Sequence, residues 1–261
     1  MILDKIIETK KEEVAVLKKT TTVERLRDEI AGRPPCRDFR GAVGGRRCAV
    51  IAEVKCASPS RGRLVEHFDP LALATIYAQN GAAAISVLTD EKYFLGHKDH
   101  LAQIRRAVHI PVLRKDFIID PLQIYETRAI GADAVLLIVR VLGPMLSAFI
   151  DLTRTLGLSP LVEAHTEEDL RLALGAGAEI IGINNRNLDT FVTDITTSRD
   201  LKKSIPEDKT VVAESAIKDR ADVDYLMNEG IKAFLIGEGL VTAPDIGCKL
   251  RSFLGSNGQC R

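Results

Sequence analysis

The feature that most constrains this chain is an alternation. Short apolar segments near 48–54, 83–88, 111–114, 134–139, 159–163, 180–184, 210–214 and 233–237 are each followed by an amphipathic stretch. The eight units average about 26 residues each, a pace that argues for parallel strands joined by crossover helices. Eight such units suggest an α/β fold of the closed (β/α)8 TIM barrel type. An open, doubly wound sheet competes with this reading, but no glycine-rich dinucleotide fingerprint follows the first strand.

Local chemistry supports the count. Gly81, Gly131, Gly177 and Gly230 each close an amphipathic stretch just before a strand, where a helix end commonly turns left-handed. Residues 1–32 precede the alternation, with Ile2, Ile6, Ile7, Val14 and Leu17 on one helical face and Val23, Leu26 and Ile30 on a second, which predicts two helices. From Gly32 to Arg47 the periodicity breaks among Gly, Pro and Arg. The expected organisation is one barrel domain, with residues 1–47 as a helical extension, 48–254 as the barrel and 255–261 as a tail.

Charge and composition exclude several function classes. With 36 Lys+Arg against 36 Asp+Glu there is no overall basic field to hold nucleic acid or an anionic bilayer. The longest apolar run, Ala134 to Val139, is far short of a membrane span, and Asp4, Lys5 and Glu8 are out of place in a signal peptide. A cytoplasmic protein is therefore expected. Cys36, Cys48, Cys56, Cys248 and Cys260 form no CxxC pair and no Cys/His cluster, so they are expected as free thiols with no metal.

The odd-numbered strands are apolar until they end in charge: Glu53 and Lys55, then Lys115, Glu163 and Glu214. In a closed barrel these ends converge on one mouth, where the active sites of the fold sit. In IAEVKCASPSRG the pleat puts Glu53 and Lys55 on one side, as an ion pair ahead of a loop with Ser58, Ser60 and Arg61. Lys115 is flanked by Arg114 and Asp116, and a cation so close predicts an ammonium that releases its proton near neutral pH. Glu163 is not needed as a helix cap, because Thr166 and Asp169 supply one. Asn184 and Arg186, ending the sixth strand, suit hydroxyl and anion recognition. Glu214-Ser215-Ala216 and Gly237-Glu238-Gly239 follow the last two strands, where such barrels often bind phosphate. His165, two residues past Glu163, reads as a surface or capping histidine. Each segment has a plainer alternative, a strand-end salt bridge, a solvated lysine or an Asn-rich turn, but their shared position is informative.

Eight segments together resemble the indole-3-glycerol phosphate synthase family, in its order: IAEVKCASPSRG, SVLTDEKYFLG, PVLRKDFIID, GADAVLLIV, LVEAHTEEDL, IGINNRNLDTF, VVAESAI and FLIGEGLV. The resemblance implies a (β/α)8 barrel with an extra N-terminal helical segment. It also implies the decarboxylating ring closure of 1-(2-carboxyphenylamino)-1-deoxyribulose 5-phosphate in tryptophan biosynthesis. No cofactor is expected, and no partner beyond the phosphosugar substrate. Carried over residue by residue, Lys115 would be the general acid and Glu163 the general base. Lys55 would bind the substrate's anionic groups, with Glu53 orienting it. Asn184 and Glu214 would meet the polar chain, and Phe94, Phe117, Leu136 and Leu188 would wall the aromatic ring. Ser58, Arg186, Ser215 and the backbone of Ala216, Gly237 and Gly239 would hold the phosphate.

This sequence departs from the family's usual pattern at Cys56, at Ala216 where ESG is common, and at Gly239 where GES is common. If position 216 has φ > 0, an alanine there costs about 1–2 kcal/mol that a glycine would avoid. Two rival readings are a barrel isomerase of the same pathway, which uses a Cys/Asp pair, and a phosphosugar-binding barrel without activity. Cys48 starts the first strand rather than ending it, which disfavours the isomerase.

Overall fold

The computed structural model describes residues 1–187 and 190–256. Eight parallel strands close a barrel: β1 (Ala49–Val54), β2 (Ala84–Leu88), β3 (Val112–Lys115), β4 (Ala134–Ile138), β5 (Ser159–Ala164), β6 (Ile180–Asn184), β7 (Thr210–Glu214) and β8 (Ala233–Ile236). Each pairs with its sequence neighbours, and β1 closes the ring against β8 with Ala49 beside Ala233 and Ala52 beside Ile236. The strands are apolar on both faces because the inner face fills the barrel and the outer face meets the helices. Helices over Pro70–Gln79, Lys98–Ala107, Pro121–Ala129, Leu146–Thr155, Glu167–Gly175, Thr196–Lys202, Arg220–Asn228 and Ile246–Phe253 form the outer ring. The four glycines expected to end helices all have positive φ, between 79° and 96°.

The extension holds three helices, α1 (Ile2–Thr20), α2 (Val23–Ala31) and α3 (Phe39–Gly44). Helix α3 corrects the expectation that 32–47 is irregular. It is a six-residue helix, too short for a periodic signal, started by the Asp38 side chain accepting from the Gly41 N–H. Its Phe39 and Val43 are fully buried among Ala49, Ala84, Ala134, Ile180 and Ala233, at the N-terminal ends of the strands. The helix therefore stoppers the floor of the barrel. On α2, Leu26 packs with Leu122 and Ala129 of the outer ring. The buried stripe of α1 is Leu3, Ile6, Lys10 and Val14, so a lysine sits among its apolar contacts.

Cys36, Cys48 and Cys56 are free, but Cys248 is disulfide-bonded, against the free thiol expected. A disulfide needs two sulfurs close in space rather than a sequence pair, so the lack of a CxxC motif did not exclude one. Cys260 lies outside the described residues.

Candidate active site

A cavity of about 820 Å³ opens at the C-terminal ends of the strands. Its floor is set by register, because Leu88 lies beside Lys115, Glu163 beside Gly182 and Asn184 beside Glu214. Two glycines make room for the carboxylates. A Cβ at Gly182 would collide with Glu214 Oε1, and one at Gly237 would collide with Glu53 Oε1.

The Lys115 ammonium lies 3.4 Å from Glu163 Oε2 and 3.5 Å from Glu214 Oε2. Burial alone would lower its pKa, but Glu163, Glu214 and Glu53 more than offset that and hold it above the ordinary lysine value. This reverses the expectation that Lys115 gives up its proton near neutrality. Arg114 is its neighbour in sequence but points to the other face of the strand, where its guanidinium meets Asp116 and Glu126 at 3.1 and 3.0 Å. On the inward face, the charged groups nearest Lys115 are Glu163 and Glu214.

The two carboxylates around Lys115 differ. Burial would raise Glu163, yet Lys115, His165 and the Asn184 amide outweigh it and keep its pKa below the usual glutamate value. Glu214 is pushed up to about 8, first by burial and then by the charge of Glu163, which the shared Lys115 only partly counters. The pair thus shares one proton near neutrality, carried by Glu214. His165 is neither capping nor on the surface. Its Nε2 lies 3.4 Å from Glu163 Oε1, and Thr166 caps the following helix while Asp169 Oδ2 accepts from the His165 backbone N–H.

On the other wall, Lys55 Nζ is 2.9 Å from Glu53 Oε1, as the pleat predicted, and 5.7 Å from the centre of the Phe94 ring. Phe94 and Phe117 face each other with ring centres 6.2 Å apart, and Leu136 lies on the same apolar side. Leu188 falls outside the described residues. The remaining predicted residues, Ser58, Arg186, Ser215, Ala216, Gly237 and Gly239, line the same cavity. Ser215 and Ala216 have φ of 64° and 63°, so the alanine does occupy the left-handed region. Asn184 accepts from the Arg186 backbone N–H at 3.1 Å, which ties the two predicted residues together.

The sequence reasoning missed three parts of the lining. Ile2, Leu3 and Ile6 of α1 line the cavity, as do Lys218, Lys249 and Phe191 beyond β6. Only the stripe on α1 had a signal, and nothing in it said which end of the barrel it covers. Among the described residues, no His, Cys, Asp or Glu group could hold a metal ion, and no helix is long and apolar enough to cross a membrane.

The sequence profile of the family described as indole-3-glycerol phosphate synthase matches residues 3–253. The indole-3-glycerol phosphate synthase of Desulforamulus reducens is 46% identical over 262 residues, covering 99% of each chain. That of Chlorobaculum tepidum is 49% identical over 247 residues, covering 94% of this chain and 96% of its own. Among solved structures, 3-hexulose-6-phosphate synthase from Salmonella typhimurium superposes with a TM-score of 0.65 at 15% identity, over 80% of this chain and 97% of that one. At that identity the likeness concerns the barrel fold alone. The profile match and the two bacterial relatives span nearly the whole chain, and on them this chain belongs to the indole-3-glycerol phosphate synthase family.

Proposed function

We propose that this chain closes the indole ring of 1-(2-carboxyphenylamino)-1-deoxyribulose 5-phosphate to give indole-3-glycerol phosphate, CO2 and water. The observation that carries the reading is the pairing of the Lys115 ammonium, held protonated, with the Glu163 carboxylate, held ionised, 3.4 Å apart in the cavity that Phe94 and Phe117 also line. In the first step the ring carbon that bears the carboxylate attacks the ketone carbon, and Lys115 protonates the ketone oxygen as it becomes a hydroxyl. The carboxylate then leaves as CO2, and its bonding electrons return to the ring system. In the dehydration an acid protonates the departing hydroxyl and Glu163 removes a proton from the ring system, so that water leaves and the double bond forms.

The other residues bind and orient. Lys55, held by Glu53, meets the substrate's carboxylate beside the Phe94 ring, while Phe117 and Leu136 complete the apolar wall that brings the reacting carbons together. Asn184 and the protonated Glu214 contact the polar chain. Arg186, Ser58, Ser215 and the backbone of Ala216, Gly237 and Gly239 hold the phosphate. Turnover of the synthetic substrate, followed by indole fluorescence, tests the reading. The chain contains no Trp, so no indole of the protein itself adds to the product signal. Purified protein that binds the substrate and yields no indole product would leave a phosphosugar-binding barrel instead.

A further inference from the structure

We propose that Lys10 is a positioning residue for this site, an internal clamp that fixes helix α1 and both aromatic walls through one buried ammonium. The proposal rests on the reading that Phe94 and Phe117 enclose the substrate's aromatic half. Lys10 is 1% exposed, in the middle of the apolar stripe of α1. Its Nζ lies 2.9 Å from Asp90 Oδ2, 2.9 Å from Asp116 Oδ1 and 2.8 Å from the partly exposed Glu13. A lysine in such a place is costly unless paired, and here two carboxylates as buried as itself pair it.

What those carboxylates hold gives the clamp its meaning. Asp90 Oδ1 accepts from the backbone N–H groups of Tyr93 at 2.7 Å and Phe94 at 3.2 Å. Asp116 Oδ1 accepts from the Phe117 N–H at 2.8 Å, and its Oδ2 is held by Thr89 and Arg114. Asp90 therefore grips Lys10 with one oxygen and the backbone of one aromatic wall with the other, while Asp116 Oδ1 meets both Lys10 and the Phe117 N–H. Asp116 also directly follows Lys115 in the chain. The Tyr93 hydroxyl adds a second tie to α1, donating to the Lys5 carbonyl at 3.0 Å. On the same face of α1, Leu3 and Ile6 cover the cavity mouth. Among the described residues, the hydrogen bonds of Lys10, Asp90 and Asp116 reach none of Arg186, Ser215, Ala216, Gly237 and Gly239, so the clamp acts mainly on the aromatic half of the site.

The test uses Lys10→Met and the charge-balanced double variant Lys10→Met/Asp90→Asn. The single variant leaves a buried aspartate without its cation and loses stability. The double variant removes that imbalance without restoring the clamp. The expected result for the double variant is near wild-type thermal stability with kcat/KM lowered about ten- to hundredfold, since displacing groups that position the reacting carbons by about 1 Å has effects of that size. Part of the loss should fall on kcat, because the same walls bring those carbons together, and the inhibition constant of inorganic phosphate should not change. Amide hydrogen exchange should quicken together in residues 2–20 and 90–96 and stay as in wild type in 211–241. A double variant with wild-type kcat/KM overturns the proposal, as does exchange that quickens throughout the barrel with the phosphate constant shifting alongside kcat/KM. A wild-type enzyme without turnover would defeat the proposed reaction instead, and the exchange data would still decide the clamp.

Discussion

Replacing Glu214 with Gln tests the charge arrangement at its most unusual point. Glu163 and Glu214 share one ammonium at 3.4 and 3.5 Å in a buried setting, and the pair cannot comfortably carry two negative charges. Glu163 has His165 and Asn184 as further support, so the shared proton falls to Glu214, whose pKa is pushed up to about 8. At about pH 7 roughly nine-tenths of the free enzyme then carries that proton, and at about pH 9 roughly one-tenth does. If the singly protonated pair is the working form, wild-type kcat/KM falls about tenfold between those two pH values. Glutamine keeps the size and the uncharged state, so Glu214→Gln should hold kcat within about tenfold at neutral pH and lose the basic limb near 8. Stability should follow the same proton. The unfolded carboxyl titrates near 4.5 and the folded one near 8, so the stability it contributes is full below 4.5 and lost as pH rises through 8. The variant's melting temperature should change less over that range. A wild-type profile flat to about pH 9, or a glutamine variant that keeps the basic limb, would refute the reasoning.

Three further outcomes are expected. Glu163→Gln and Lys115→Met should each lower kcat by about 10² to 10⁴ with a much smaller change in KM, and Glu163→Gln should remove an acidic limb lying below the ordinary glutamate value. A kcat like that of wild type in either variant removes the role given to that residue. Ala216→Gly relieves a φ of 63° worth about 1–2 kcal/mol, offset in part by the greater freedom of glycine in the unfolded chain, so calorimetry should show Tm about 2 °C higher with KM equal or lower. A lower Tm would mean that the alanine methyl contributes packing. Arg186→Ala should raise KM more than it lowers kcat and weaken inhibition by inorganic phosphate, and steady-state kinetics showing the reverse split would remove it from the anion site.

The barrel was legible because strand and helix periods alternate eight times and because helix ends carry glycine. The site was legible as a set of strand ends, since Glu53, Lys115, Glu163, Asn184 and Glu214 share one position in their units and meet in one cavity. The protonation of that site was not legible. Sequence proximity put Arg114 next to Lys115, whereas the pleat separates the two and register brings in Glu163 and Glu214 from strands far along the chain. Lys10 was hidden for a related reason. Its partners are Asp90 and Asp116, and a lone lysine within an apolar stripe reads as a solvated residue until those loops are folded beneath it. Helix α3 escaped because six residues starting at Phe39 do not complete two turns.

The N-terminal extension touches both ends of the barrel, with α1 over the mouth and α3 under the floor. It works as a strap rather than a lid, drawn down the outside of the barrel by α2 and the helix over Pro121–Ala129. Its two ends answer to different demands. Sequence change at Ile2, Leu3 or Ile6 of α1 changes the lining of the cavity, whereas change at Phe39 or Val43 opens a hole beneath Ala49, Ala134 and Ala233, small residues that leave the space the phenyl ring fills. The alanines at the foot of the strands and the phenylalanine that stoppers them form one unit of volume. A larger residue at any of those feet can be accommodated only if the stopper shrinks with it.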